Sequence, residues 1–465
     1  MKVVLWLLFL AAAVLATIVV VFALQSRRLP DLQAWHTAIP QGEFHEGDAT
    51  TFAEYQAIEK QLFARLPLAD TQRFSRYNPN SIVARLALET PYNRSFEIIP
   101  PGEPRGAALL VHGLTDSPYA MRALGEAFAR QGYYVLALRL PGHGTVPAGL
   151  VDVTWQDWYA AVLLAARHAK AKAGMGKPFV AGGHSTGAAL VTLLSLRALS
   201  DPEVPRPQRL YLLSPAIGIS PFARLTNVVS LLAFLPGLEK SRWLDVLPEY
   251  DPYKYNSFPV NAARQIYALT QVVQGTLDEE AKRKRLDRMP GITAFQSIVD
   301  ATITVPAVVN GLLGRLPPKE HELVLFDINR NENLEGWIAP GRLEDLEKLR
   351  AAVHLPFRLT LIANRAHDTR AVAAYTREAG ASAVNVEDLA YQWPVGVFSV
   401  GHVSLPFPAD DPVYGLNPGG FNLGALSPRG EAGALIVAPG TFERLRANPF
   451  WGVIEAKVVQ TERSF

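Results

Sequence analysis

The pentapeptide Gly-His-Ser-Thr-Gly at residues 183–187 is the feature that most constrains the fold of this chain. An apolar run precedes it at residues 178–182, and a helix-like run follows it at residues 188–194. A serine in a tight strand-to-helix turn needs small residues two positions away on either side, because larger side chains would collide with the packed backbone. The helix start adds free N–H groups and a positive dipole end. The pattern can also form an ordinary turn, but its flanks favour Ser185 as a catalytic nucleophile.

Short apolar runs alternate with amphipathic segments along much of the chain. The runs are residues 107–111, 133–138, 179–182, 210–213, 292–299, 323–326, 359–362 and 397–400. Near-continuous apolar strands that alternate with helices indicate a mostly parallel sheet with both faces covered. The sequence therefore predicts an α/β fold with a central sheet flanked by helices.

The alternation stops between residues 217 and 290. This stretch contains an apolar helix candidate at residues 225–235 and a longer one in which apolar residues recur every three or four positions from Ile266 to Leu277. We expect residues 217–290 to form a helical cap, or lid, inserted within a main domain at residues 95–465.

Two further segments accompany the serine motif. Residues 110–117 read Leu-Val-His-Gly-Leu-Thr-Asp-Ser, and residues 139–144 read Arg-Leu-Pro-Gly-His-Gly. Together with residues 183–187, they resemble the α/β-hydrolase superfamily, especially its monoglyceride-lipase and carboxylesterase branch. The resemblance is specific between residues 107 and 194 and is looser afterwards.

This resemblance implies an α/β-hydrolase fold with serine-hydrolase chemistry. In the family, the backbone N–H groups that follow the His-Gly pair and the nucleophile form an oxyanion hole, which corresponds here to Leu114 and Thr186. Such fixed donors need no reorganisation when the tetrahedral intermediate forms, and each lowers the barrier by roughly 3 kcal/mol. Dehalogenase and epoxide-hydrolase chemistry is disfavoured, because those relatives carry Asp at the position of Ser185.

The order of residues along the chain points to the general base. In this fold the acid follows the nucleophile and the histidine comes last. His402 follows a glycine and the apolar run at residues 397–400, and this pattern resembles the Gly-His at the last strand end of the family. We expect His402 to be the base, and the alternative is an ordinary loop histidine.

Two carboxylates compete for the role of triad acid. Asp300 ends the apolar run at residues 292–299, and Asp368 follows a later run. The strand-end position favours Asp300, which would hold the His402 ring in the required tautomer. About 100 residues separate these two positions, more than the family pattern needs. We therefore expect an insertion with its own strand and helix at residues 328–395, and Asp368 becomes the acid if this insertion supplies it.

The N-terminus carries a long apolar segment. Residues 3–24 contain no charged side chain, and this length is sufficient to span a bilayer. We expect residues 1–28 to be an uncleaved transmembrane anchor, with a cleaved signal peptide as the alternative. The flanking positive charges nearly balance, and we place the catalytic domain of this single-pass protein outside the cytoplasm. The polar residues 29–94 are expected to form a juxtamembrane segment.

Composition narrows the possible functions. The chain has 45 Lys and Arg residues against 43 Asp and Glu residues, so its charge gives no support for nucleic-acid binding. Cysteine is absent, which excludes disulfides, thiolate catalysis and cysteine metal ligands. No metal or organic cofactor is expected, because a triad generates the nucleophile.

These features predict a serine hydrolase that cleaves carboxylic esters of a small molecule or lipid through an acyl-enzyme on Ser185. The same triad would also serve for thioesters, amides or peracid formation. A third possibility is a membrane-tethered binding protein built on a catalytically inactive hydrolase fold. The retained serine, glycines, aspartate and late histidine argue against that possibility.

Overall fold

The computed structural model describes residues 27–66, 70–89, 92–218, 239–339, 341–352, 354–416 and 446–462, together with isolated positions before residue 27. The helix candidate at residues 225–235 of the predicted cap lies outside these residues. The other cap helix candidate, with Ile266 and Leu277, is helical in the structure.

A large mixed sheet forms the centre of the described chain. Its strands, with those of a small ribbon, are β1 (Phe96–Ile98), β2 (Gly106–Val111), β3 (Tyr133–Leu138), β4 (Phe179–His184), β5 (Arg209–Leu213), β6 (Trp243–Asp245), β7 (Phe258–Pro259), β8 (Gly291–Ser297), β9 (Glu322–Phe326), β10 (Arg358–Asn364), β11 (Ala371–Arg377) and β12 (Val384–Gln392). Ten strands follow the order β1-β3-β2-β4-β5-β8-β9-β10-β11-β12, while β6 and β7 form the ribbon. The pairs from β3 to β10 are parallel. The predicted α/β-hydrolase fold with a mostly parallel sheet is confirmed.

Helices cover both faces of this sheet. They are α1 (Ala34–Thr37), α2 (Phe52–Ala64), α3 (Ile82–Glu89), α4 (Arg122–Arg130), α5 (Trp155–Ala173), α6 (Thr186–Arg197), α7 (Val260–Lys282), α8 (Val305–Gly311), α9 (Arg342–Ala351) and α10 (Trp451–Glu462). Leu109 and Leu110, neighbours on β2, belong to two different apolar clusters. Successive strand residues point to opposite faces, so each buried strand must be apolar on both sides.

The predicted insertion at residues 328–395 forms α9, β10 and an antiparallel hairpin of β11 and β12. The sequence indicated one strand and one helix here. It did not indicate β12, because that strand is mostly exposed and lacks an apolar run. The strand expected at residues 397–400 is also wrong: the segment is buried but has only isolated bridge residues, Val397 and Ser399, and Ser399 pairs with Ile328.

The segment that precedes β1 is joined to the sheet domain by buried ion pairs. Arg139 donates to Glu43 at 2.8 Å and to Glu59 at 3.2 Å. Burial alone would raise the pKa of Glu43, but the Arg139 guanidinium holds that pKa below its usual value. Glu43 also accepts the N–H of Gly142 at 2.9 Å. Removing one partner of such a buried pair typically costs about 3–5 kcal/mol, so this segment is tied firmly to the loop at residues 139–144.

The transmembrane anchor predicted at residues 1–28 is contradicted by the structure. Within the ranges it describes, no helix combines the length and the apolar composition that crossing a bilayer requires. Most positions before residue 27 lie outside those ranges. The prediction rested on the length of an uncharged run. The predicted localisation as a single-pass membrane protein is wrong as well.

Candidate active site

Ser185 occupies a strained turn between β4 and α6. Its backbone has φ 52° and ψ −110°, a conformation that typically costs a non-glycine residue about 1–3 kcal/mol. The surrounding backbone holds this turn. The Ser185 N–H donates to the carbonyl oxygen of Leu213 at 2.9 Å, and the Ser185 carbonyl accepts from Ala216 at 3.1 Å. The side chain is therefore fixed at the carboxyl end of the sheet, beside the start of a helix.

The two glycines of the turn are required by close backbone contacts. A Cβ atom on Gly187 would lie 2.0 Å from the carbonyl oxygen of Val111, and one on Gly183 would lie 2.4 Å from the carbonyl carbon of Gly187. Backbone atoms of a packed strand cannot move aside as a flexible side chain can. The small residues that the sequence motif contains therefore have a direct steric cause.

We expect Gly187→Ala to lower the free energy of unfolding by about 3 kcal/mol or more, because the added methyl group overlaps β2. Gly275→Ala is the matched control, since a Cβ there meets no atom within 4 Å and alanine favours the interior of α7 by about 0.5–1 kcal/mol. Urea unfolding of both variants measures the difference. Equal stability of the two variants would show that the close contact with Val111 does not exclude a side chain at residue 187.

Asp300 and His402 are in direct contact at the carboxyl end of the sheet. Nδ1 of His402 lies 2.8 Å from Oδ2 of Asp300, although about 100 residues of sequence separate them. Ser214, at the end of β5, donates from its hydroxyl to the same carboxylate oxygen at 2.6 Å. The Asp300 side chain is fully buried and that of His402 is 10% exposed, so solvent weakens their interaction little.

Further hydrogen bonds keep the Asp300 carboxylate charged. Its Oδ1 accepts the N–H groups of Thr302 at 2.9 Å and Ile303 at 2.8 Å, and its Oδ2 accepts from Gln296 at 2.9 Å. Burial alone would raise the pKa of Asp300, but His402 and the hydrogen bonds outweigh burial and lower it. An ionised carboxylate only accepts hydrogen bonds. The proton on His402 therefore lies on Nδ1, which leaves Nε2 to face another group.

The predicted nucleophile, base and oxyanion residues line one cavity of about 350 Å³, and Asp300 lies against its wall. The residues from this set that line it are Ser185, His402, Leu114 and Thr186. Apolar side chains form much of the remaining lining, namely Ala216, Phe258, Ala263, Ile266, Ile303 and Val403. Concave, mostly apolar cavities of this size are typical of small-molecule sites.

Asp368, the alternative acid, lies elsewhere. It occupies the exposed turn that joins β10 to β11. The carboxylate in contact with His402 is that of Asp300. The geometry therefore favours Asp300 as the partner of the histidine.

Two histidines of the family-like segments support the Leu114 loop. Nε2 of His143 lies 2.7 Å from the carbonyl oxygen of Leu114, and Nε2 of His112 accepts the N–H of Leu140 at 3.0 Å. Burial lowers the pKa of His143 to about 4, so this ring is neutral near pH 7. These contacts link the loop at residues 139–144 to the backbone that carries one candidate oxyanion donor.

A cluster of His184, Asp116 and Lys254 lies next to His402 and was not predicted from the sequence. Nδ1 of His184 lies 2.9 Å from Asp116, whose other carboxylate oxygen lies 2.5 Å from Nζ of Lys254. Nε2 of the same ring lies 3.2 Å from the carbonyl oxygen of His402. Asp116 and His184 could have been singled out from the sequence, because they lie within residues 110–117 and 183–187, which resemble the family. Lys254 and Ser214 lie outside those segments, although Ser214 follows a strand that neighbours the strand before Asp300.

Comparisons with known proteins agree with this fold. The sheet order and the strained serine turn are those of an α/β-hydrolase fold. A family model described as serine aminopeptidase, S33, matches residues 102–259. A thermostable monoacylglycerol lipase from Bacillus sp. (strain H-257) is 50% identical over 54 residues, which are 12% of this chain and 22% of that protein. The resemblance to the α/β-hydrolase superfamily and its monoglyceride-lipase branch is confirmed.

The chain spans about a fifth of the length of this curated relative. Among solved structures, it is similar to a monoacylglycerol lipase from Paleococcus ferrophilus, with 18% identity and a TM-score of 0.35 over 50% of this chain and 88% of the other. It is also similar to Est1E from Butyrivibrio proteoclasticus with bound ferulic acid, with 20% identity and a TM-score of 0.36 over 50% of this chain and 85% of the other.

Proposed function

We propose that this chain is a serine hydrolase that cleaves lipophilic carboxylic esters through an acyl-enzyme on Ser185. The observation that carries the proposal is the 2.8 Å contact between His402 and Asp300 beside the cavity that Ser185 lines. With its proton on Nδ1, the His402 ring would offer Nε2 as the acceptor for the serine proton. This pairing of a nucleophile, a base and an orienting acid is the arrangement that acyl transfer requires.

The reaction proceeds in two steps, acylation and deacylation of Ser185. Ser185 Oγ attacks the ester carbonyl while His402 takes its proton, and the alcohol then leaves with that proton as the C–O bond breaks. Water next attacks the acyl-enzyme and gives a proton to His402, which returns that proton to Ser185 Oγ as the acyl C–O bond breaks and the carboxylic acid leaves. In both steps the N–H groups of Leu114 and Thr186 would stabilise the negative oxygen, and such donors each contribute roughly 3 kcal/mol.

The lining of the cavity supports a lipophilic acyl group. Phe258, Ile266 and Ile303 contribute apolar surface near Ser185, and each methylene moved from water into such a surface gains about 0.8 kcal/mol. The similar Bacillus protein is named a monoacylglycerol lipase, which is consistent with this class of substrate. We therefore place monoacylglycerols among the first substrates to test.

For p-nitrophenyl esters, we expect kcat/KM to rise by at least tenfold from acetate to octanoate, because six added methylenes enter the apolar cavity. Ala263 lines this cavity from α7, so Ala263→Trp should reduce octanoate hydrolysis far more than acetate hydrolysis. The initial rates of wild type and variant on both esters measure this. A preference for acetate, or equal losses on both esters, would contradict a lipophilic acyl site.

A further inference from the structure

The insertion contains a cavity larger than the one at Ser185. It has a volume of about 590 Å³ and lies between α9 and the β10–β11 hairpin. Ligand sites commonly have volumes of about 300–1,000 Å³. Most residues that line the cavity lie in the insertion at residues 328–395. The cavity is therefore a feature of this insertion and not of the α/β-hydrolase fold itself.

One wall of this cavity is apolar. Leu359, Leu361 and Ala363 alternate along β10 and line it, since every second residue of a strand faces the same side. On the adjacent strand β11, Tyr375 pairs with Leu361 in the sheet register and lines the same cavity. The wall therefore offers a continuous hydrocarbon surface with one aromatic ring.

Arginines and carboxylates both contribute to the lining of this cavity. Three of its four arginines are paired with carboxylates, namely Arg330 with Asp327, Arg350 with Glu347 and Arg365 with Asp388. Arg377 is 8% exposed, and its guanidinium donates to the carbonyl oxygens of Leu349 at 2.9 Å and Arg350 at 2.7 Å. It is bonded there to carbonyl groups and not to a carboxylate, within the part of the chain that the structure describes. A buried guanidinium favours an anion close to it.

Two hydrogen-bonded connections join the walls of this cavity to Asp300 and to the segment that leads to His402. Arg342, the first residue of α9, donates to the carbonyl oxygen of Asp300 at 3.2 Å. Asn364, which lines the cavity, donates to Asn329 at 3.0 Å. Asn329 in turn donates to the carbonyl oxygen of Val397 at 2.9 Å, five residues before His402.

We propose that this cavity binds an amphiphilic anion, a carboxylate with a hydrocarbon tail, and that its occupancy alters the rate of the reaction at Ser185. The tail lies against β10 and the carboxylate lies at Arg377. The regulatory part rests on the proposed hydrolase function, whereas the binding part does not. Ester hydrolysis also produces a carboxylic acid, so this site would bind the product as its concentration rises.

Decanoate is the probe for binding, with calorimetry as the measurement. We expect a binding event, separate from product binding at Ser185, that Arg377→Met weakens by at least tenfold, while Arg206→Met, at an exposed arginine outside the cavity, leaves it unchanged. Decanol lacks the charge and inorganic phosphate lacks the tail, so each should bind at least tenfold more weakly than decanoate. Equal binding of decanol or of phosphate would overturn the proposed ligand class.

Arg377 also holds the end of α9, so its loss can disturb folding. Ala363→Phe fills the cavity and keeps that arginine, and it should weaken decanoate binding as strongly. Ala263→Trp, in the cavity of Ser185, should leave the binding event assigned to the insertion cavity intact. If only Ala263→Trp abolishes binding, the carboxylate binds at the active site and the proposal is wrong.

Kinetics test the regulatory part. We expect saturating decanoate to change kcat for p-nitrophenyl acetate by at least fivefold, the lower end of usual coupling between sites, and Ala363→Phe to remove this effect. An unchanged kcat with decanoate bound would overturn the regulation. If wild type hydrolyses no ester, the proposed function fails, while calorimetry still decides the binding.

Discussion

Replacing Ser185 with alanine is expected to lower kcat for ester hydrolysis by roughly a million-fold and to leave KM within a few-fold of wild type. The serine oxygen forms the covalent bond of the acyl-enzyme, so its removal abolishes that path. The ester would still enter the cavity, because its apolar lining residues such as Phe258 and Ile266 are unchanged. Steady-state rates on a p-nitrophenyl ester measure both constants.

Ser195→Ala is the matched control for this variant. Ser195 is a buried serine on the same helix, α6, and donates to the carbonyl oxygen of Val191 at 3.0 Å. It does not line the cavity of the candidate nucleophile, so this variant should keep activity close to wild type. A Ser185→Ala variant that retains more than about a hundredth of wild-type kcat would mean that another group is the nucleophile.

The second large effect is expected at the acid. Asp300→Asn should lower kcat by roughly 10,000-fold, because an amide that donates to Nδ1 of His402 forces the wrong tautomer on the ring. The low pKa of Asp300 means that wild type carries the charged acceptor at neutral pH. Stopped assays at pH 7 on purified variants measure the loss.

Asp368→Asn serves as the comparison for this acid. Asp368 is exposed in the β10–β11 turn, and its substitution should change kcat by less than about twofold, as at most exposed positions. Near-normal activity of Asp300→Asn together with a large loss in Asp368→Asn would reverse the assignment of the acid.

The sequence predicts the core of the fold well for a physical reason. Strands such as β2, β3 and β4 are buried on both faces, so each appears as an uninterrupted apolar run. The position of Ser185 is equally predictable, since the close contact of Gly187 with Val111 restricts the residues that the turn accepts. Close contacts and burial restrict which residue types a position accepts, so both can be recognised in the sequence.

The pairing of His402 with Asp300 was expected from chain order and the family resemblance, but the route between them was not, since the chain extends the sheet beyond β9 through β10–β12 before it returns. Other features could not be predicted, because they depend on contacts between distant residues. The segment before His402 looked like a strand because it is apolar, yet it is a buried loop with isolated bridge residues at Val397 and Ser399. Lys254 reaches Asp116 from an irregular segment before β7, and no local pattern marks such a residue.

Labelling with a fluorophosphonate probe tests the central claim most directly, since the probe reacts covalently with an activated serine. The intact mass of the protein and the mass of its peptides identify how many groups are attached and where. We expect one adduct on wild type, carried by Ser185, and no adduct on Ser185→Ala. Absence of an adduct on folded wild-type protein, or an adduct on a different serine, would contradict the assignment of Ser185 as the nucleophile.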